Sequence, residues 1–186
     1  MMKEYRVAIL GATGAVGREM MRVLEERQFP LSELRLLASA RSAGSRLPFR
    51  GEELVLEQAT PQSFAGCDIV LGAAENDVAT ELLPHAVAQG AVVIDNSSAY
   101  RLDPEVPLVV PEVNPQDIAW HKGLISNPNC TTIITATAVA AIHRLSPIVK
   151  MTASTYQAVS GAGVGGMREL EQQVEALSKG EPVVCS

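Results

Sequence analysis

Cysteine, histidine and positive charge are scarce in this 186-residue chain, and no apolar run is long. Its three cysteines, Cys67, Cys130 and Cys185, are odd in number and widely spaced. That excludes a disulfide framework and a CxxC zinc pattern, so no metal site is expected and a reducing, cytoplasmic setting is the default. The longest apolar runs hold about a dozen residues, short of the roughly 20 that cross a bilayer. The opening Met1-Met2-Lys3-Glu4-Tyr5 leads straight into a strand-like run, without the apolar core and cleavage site of a signal peptide. Fifteen Lys and Arg stand against twenty-one Asp and Glu, a net charge of −6. A nonspecific nucleic-acid binder needs a basic face, so that class is set aside. An anionic small ligand is not, because its site is built locally.

What is present describes a folded chain: 47% hydrophobic and 19% charged residues exclude disorder as the main reading. Tyr5–Leu10 reads as a buried strand. The glycines of Gly11-Ala12-Thr13-Gly14-Ala15-Val16-Gly17 follow, then a helix with Val16, Met20, Val23 and Leu24 at helical spacing, ended by Phe29-Pro30. Leu34–Ala38 reads as a second strand and the segment from Ser39 to Gly51 as polar loop. Leu54–Leu56, Asp68–Ala73, Val92–Ile94, Leu108–Val110 and Gly123–Ser126 are further strand candidates. Asp77–Gln89 is a helix that Gly90 caps. Thr131–Leu145 reads as a buried helix, Met151–Tyr156 as a strand, Ser160–Gly166 as loop and Met167–Ser178 as an amphipathic helix. Strands that are apolar throughout and alternate with helices predict a doubly wound, mostly parallel sheet of Rossmann-like type. Composition shifts near Ser146-Pro147. This divides the chain into a dinucleotide-binding domain at 1–146 and, at 147–186, the start of a second, α+β unit.

Two segments carry chemistry. The glycines at 11, 14 and 17 lie between a strand and a helix, the context a dinucleotide-binding turn requires. Gly11 permits the turn, Gly14 lets backbone approach a pyrophosphate and Gly17 allows close helix–sheet packing. After the second strand, where NAD sites place a carboxylate, stand Ser39, Arg41 and Ser42. A guanidinium and two hydroxyls suit a 2′-phosphate, so NADP is expected. The other segment is Asn127-Pro128-Asn129-Cys130-Thr131-Thr132, which sets Cys130 at the start of an apolar helix. Free amides and the helix dipole there favour a thiolate and can stabilise an oxyanion on an attached carbonyl. Cys67 abuts an apolar strand and reads as structural. None of His85, His121 and His143 is placed to serve as the base for Cys130. His143 lies about 20 Å away along the same helix.

Taken in order, these segments resemble aspartate-β-semialdehyde dehydrogenases. Further matching runs are Asp95-Asn96-Ser97-Ser98-Ala99-Tyr100-Arg101, Val110-Pro111-Glu112-Val113-Asn114 and Ser154-Thr155-Tyr156-Gln157-Ala158-Val159-Ser160-Gly161-Ala162-Gly163. The resemblance implies reduction of β-aspartyl phosphate to the semialdehyde with NADPH, through a thioester on Cys130, on the route to lysine, methionine and threonine. It implies that Gln157 orients the acyl group, and that Arg101, with Asn129 and Asn96, holds the substrate or its phosphate. Gly11, Thr13, Gly14, Ala15 and Val16 would cradle the cofactor, Ser39, Arg41 and Ser42 its 2′-phosphate, and Ser160 and Gly161 would lie by the nicotinamide. Members are homodimers of about twice this length, with a catalytic histidine and a substrate-binding arginine in their second domain. The chain then corresponds to their N-terminal half, and unaided turnover is not expected of it. Alternatives are an N-acetyl-glutamyl-phosphate reductase, whose cysteine segment usually reads Pro-Gly-Cys-Tyr, an acylating aldehyde dehydrogenase using coenzyme A, and a non-catalytic NADP-binding fragment.

Overall fold

The computed structural model describes residues 3–183. The chain divides into two compact units, the division falling between Val149 and Lys150.

The first unit is built on a seven-stranded sheet. In chain order its elements are β1 (Tyr5–Leu10), α1 (Ala15–Glu26), β2 (Leu31–Ala38), β3 (Arg46–Phe49), β4 (Glu52–Gln58), β5 (Ile69–Gly72), α2 (Asn76–Ala88), β6 (Val92–Asp95), β7 (Leu124–Ser126) and α3 (Cys130–Leu145). The strands lie in the order β3-β4-β2-β1-β5-β6-β7. All pair in parallel except β3 with β4. Both faces of the central strands are covered, which is why they are apolar without alternation. Val7 and Ile9 point into one core with Met21 and Leu24 of α1, and Ala8 and Leu10 into another with Leu82, Leu83 and Ala86 of α2. Helices on opposite faces make the sheet doubly wound, as its sequence pattern implies.

Local corrections have physical reasons. The expected loop from Ser39 to Gly51 contains β3, whose Leu47 and Phe49 turn into the α1 core as it pairs antiparallel with β4. On α1 the buried face is Gly17, Met21 and Leu24, whereas Val16 and Val23 are exposed. The closest backbone contact is made by a glycine, which rotates the helix away from the face its valines suggest. Leu108–Val110 forms one bridge, from Leu108 to Ser126, and no strand. α3 is a helix but not a buried one: Ile134 is 71% and Leu145 90% exposed, since no described element covers them.

The end of α2 matches expectation. Gly90 adopts φ +90°, its amide bonds the Val87 carbonyl and the Ala91 amide bonds that of Ala86, a Schellman closure. Pro84 inside α2 deprives the Thr80 carbonyl of its helical donor, and the Tyr100 hydroxyl lies 3.5 Å from that oxygen. Phe64, in a short 3₁₀ turn after β4, is fully buried in the α2 core. Phe64→Ala is expected to destabilise the fold by about 3–5 kcal/mol in urea unfolding, as deletion of a core phenyl does. A loss under about 1 kcal/mol would show that this core is loosely packed.

The second unit holds a 3₁₀ turn at Val159–Ala162 and α4 (Gly163–Lys179). The strand expected over Met151–Tyr156 is absent, because an extended segment becomes a strand only with a partner for its ladder. Of the glycines expected as loop, Gly161 lies in the 3₁₀ turn, and Gly163, Gly165 and Gly166 open α4. Among the described residues no helix is long and apolar enough to cross a membrane. Cys185 lies outside the described residues.

Candidate active site

The chain runs outward from β1 to β2 and the β4–β3 edge, then returns to the other side of β1 with β5, β6 and β7. The order therefore reverses between β1 and β5, and ligands of such sheets bind beyond the carboxyl ends of the strands at that point. The glycine turn sits there. Gly11 has φ +89°, and a Cβ on it would lie 2.6 Å from the Ala73 carbonyl oxygen after β5. A Cβ on Gly17 would lie 2.4 Å from the Gly11 carbonyl oxygen. Gly14 is the N-cap of α1 in extended conformation, and no side chain caps the helix. The first amides of α1 are thus open to an anion.

A cleft of about 540 Å³ adjoins this turn, lined by Gly11, Thr13, Ser39, Ala40, Thr60 and Ala74 among others. Beyond β2 the amides of Ser42 and Ala43 both bond the Ser39 carbonyl, at 2.9 and 3.1 Å. That turn carries Arg41 exposed, and Arg41 has no ion pair among the described residues. Close-packed backbone, an uncapped helix start and an uncommitted guanidinium beyond β2 fit a phosphorylated dinucleotide. Ala15 and Val16 are exposed on the first turn of α1.

The ends of β6 and β7 bring the second group of residues together. Asn127 donates through its side-chain amide to Asn96 Oδ1. Arg101 donates from Nε to the Asn127 carbonyl at 3.0 Å and from Nη2 to the Asn96 carbonyl at 2.7 Å. Two residues after Asn127, Asn129 caps α3, its Oδ1 accepting from the Thr131 amide at 3.0 Å. Pro128 is buried and fixes the approach, so Cys130 becomes the first residue of α3, with an exposed thiol. By contrast Cys67 is buried, and burial pushes its thiol above the usual range. Asn127 gives no sequence signal of its own beyond its place inside the cysteine segment. Its role depends on two strand ends, about thirty residues apart, lying side by side.

In the second unit the Gln157 amide lies over Gly161: a Cβ there would fall 1.7 Å from Gln157 Nε2. Ser160 belongs to the same 3₁₀ turn. The histidines are engaged locally. His121 Nδ1 accepts from the Gly123 amide and His143 Nδ1 from the Ile148 amide, each at 3.0 Å. His85 is exposed in the last turn of α2. Among the described residues no group of three His, Cys, Asp or Glu is arranged for a metal.

The reversed sheet and its glycine turn define a dinucleotide-binding α/β domain, and a thiol at a helix start on its outermost parallel strand narrows the class. The chain belongs to the semialdehyde dehydrogenase family: the model of that family's NAD binding domain matches residues 6–121, and that of its dimerisation domain residues 139–184. It is 49% identical over 176 residues to an aspartate-semialdehyde dehydrogenase of Synechocystis sp., covering 95% of this chain and 52% of that protein. The chain spans about half the length of the curated relatives it matches. A crystal structure of aspartate semialdehyde dehydrogenase II from Vibrio cholerae, complexed with ASA, superposes with a TM-score of 0.94 at 41% identity over 100% of this chain and 56% of that one. The enzyme of Candida albicans with NADP gives 0.67 at 27% identity, covering 78% and 48%.

Proposed function

We propose that this chain supplies the cofactor site and the nucleophile of an NADPH-dependent aspartate-semialdehyde dehydrogenase acting on β-aspartyl phosphate. The observation that carries this reading is the exposed Cys130 thiol at the capped start of α3, beside the Asn96–Arg101–Asn127 cluster. The Cys130 thiolate attacks the acyl carbon. A C–S bond forms, the C–O bond to phosphate breaks and inorganic phosphate leaves. Arg101 still has N–H groups beyond the two engaged with carbonyls, and grips the phosphate with Asn129 and Asn96. The amides at the start of α3 other than that of Thr131, which Asn129 caps, hold the oxyanion. Gln157, neutral, orients the acyl group without adding charge. When bound, NADPH supplies the hydride that takes the thioester to the aldehyde. Gly11, Thr13, Gly14, Ala15 and Val16 bind its pyrophosphate, Ser39, Arg41 and Ser42 its 2′-phosphate, and Ser160 and Gly161 its nicotinamide side.

The Vibrio cholerae relative's complex with ASA and the Candida albicans relative's with NADP support the substrate and cofactor. Residues 1–146 serve the cofactor and the thiol. Residues 147–186 begin a substrate and dimerisation unit, in keeping with the matched dimerisation model, and the working form is a cytoplasmic homodimer.

The direct test is stoichiometric. The chain is mixed with β-aspartyl phosphate, then intact mass and released phosphate are measured. One aspartyl group on Cys130 and one phosphate per chain are expected; an unmodified chain overturns the reading. The cofactor is tested separately. Arg41→Ala is expected to weaken NADPH binding about 10–100-fold, as loss of a guanidinium–phosphate pair does, and NADH binding less than about twofold. Equal losses in titrations with the two cofactors would remove Arg41 from the 2′-phosphate site.

A further inference from the structure

At the ends of β5, β6 and β7, Gly72, Asp95 and Ser126 stand in register. They share the sheet face on which Val70, Val93 and Leu124 pack under α2. Asp95 is fully buried there. Among the described residues no cation pairs with it, and its hydrogen bonds come from one residue. The Ser97 amide donates to Oδ1 at 3.0 Å and the Ser97 hydroxyl to Oδ2 at 2.5 Å. Ser97 Oγ in turn accepts from the Ala99 amide at 3.1 Å. Gly72 leaves the room this requires, since a Cβ on it would lie 2.7 Å from Asp95 Oδ1. Ser126 completes the row with a buried hydroxyl that has no hydrogen-bond partner among the described residues, so it gives the carboxylate no second anchor.

Burying a carboxylate without a cation is costly, and an apolar side chain would fill this place in the core at less expense. What an apolar side chain cannot do is fix the turn from Asn96 to Ala99 through consecutive amide and hydroxyl donors. That turn presents the Asn96 carbonyl and Oδ1, which receive Arg101 and Asn127. Asn127 leads through Pro128 and Asn129 to Cys130. We propose that Asp95 is a positioning residue for the acylation site: through Ser97 it sets the turn that holds Arg101 and Asn127 in place beside Cys130. The kinetic part rests on the reading of Arg101 as the phosphate ligand; the geometric part does not.

The test uses Asp95→Asn and Ser97→Ala in the 186-residue chain. The ¹H–¹⁵N cross-peak of Arg101 Nε–H, assigned by its loss in Arg101→Lys, reports the bond to Asn127 directly. Acylation of Cys130 is followed against acetyl phosphate concentration. Alkylation by iodoacetamide, which has no phosphate to be gripped, is the control. The cross-peak is expected to shift or broaden in both variants. The half-saturating acetyl phosphate concentration is expected to rise about tenfold, with alkylation within about twofold of the parent. The double variant is expected to be no worse than the stronger single one, because both break the same link.

An unmoved cross-peak in folded Asp95→Asn overturns the proposal, as does alkylation that falls with acylation, or additive losses. If Asp95→Asn does not fold, Ser97→Ala reads the same link. Failure of both to fold overturns positioning in favour of a purely structural role. If the parent chain is acylated by neither acetyl phosphate nor β-aspartyl phosphate, the proposed function fails, and the cross-peak still decides the geometry.

Discussion

Replacing Cys130 with alanine is expected to abolish acylation of the chain by β-aspartyl phosphate, a loss of at least about 10³-fold to the background of the reagent. The argument is one of access and charge. Acylation needs a thiolate that a bulky dianion can reach. Cys130 is exposed, and it begins a 16-residue helix whose first amides and dipole stabilise an anion. Cys67 meets neither condition: it is buried among Phe64, Val70 and Ala91, and desolvation disfavours its thiolate. Iodoacetamide mapping is therefore expected to find Cys130 modified and Cys67 untouched in the folded chain. NADPH affinity in Cys130→Ala is expected to stay within about twofold of the parent, because the glycine turn lies beyond β1 and the thiol beyond β7. Acyl transfer that persists in Cys130→Ala would sink the thioester route. A large loss of NADPH affinity would instead make the thiol part of the cofactor's phosphate-binding site.

The glycine turn was legible in the sequence because its signals are local. A strand, three glycines and a helix start follow one another without interruption, and the backbone contacts at Gly11 and Gly17 are what that spacing demands. The setting of Cys130 was legible for the same reason: Pro128 and Asn129 signal a turn and a cap within two residues of it. What escaped the sequence is non-local. Asp95 reads as the end of an apolar strand, and only the register with Gly72 and Ser126 shows that its carboxylate lies in the core. Asn76 gives no signal either, yet its Oδ1 accepts the Ser98 amide at 3.0 Å and ties α2 to the turn after β6. β3 is hidden by Pro48 and flanking arginines, and exists because Leu54 and Val55 of β4 are there to pair with it. The opposite error occurs at α3. Its apolar composition states how much surface it is able to bury, but nothing among the described residues takes up Ile134, Ile142 or Leu145. Periodicity describes a helix, whereas burial describes its neighbours.

Gly17→Ala carries the other large expected effect, on both fold and cofactor binding. A Cβ at this position would lie 2.4 Å from the Gly11 carbonyl oxygen, 2.7 Å from Ala12 Cα and 3.0 Å from the Gly11 carbonyl carbon. All three are backbone atoms of the turn itself, so no side-chain rotation relieves the contact. Either α1 lifts from the sheet or the turn opens, and Met21 and Leu24 lose packing in the first case. Overpacking of this kind destabilises by about 1–3 kcal/mol or more, read as a shift in the urea midpoint. The displaced turn also misdirects the first amides of α1, so NADPH affinity is expected to fall at least about 30-fold. Gly14→Ala separates the two effects. Gly14 has φ −72°, which any residue adopts, and the nearest atom to an added Cβ is the Gly11 carbonyl oxygen at 3.4 Å. Its stability is expected to stay within about 0.5 kcal/mol of the parent. Its NADPH affinity is nevertheless expected to drop, since the methyl group stands where backbone must approach the pyrophosphate. Comparable destabilisation of the two variants would mean that the turn is uniformly intolerant and that Gly14 serves packing. Undiminished NADPH binding by Gly14→Ala would move the pyrophosphate away from this turn.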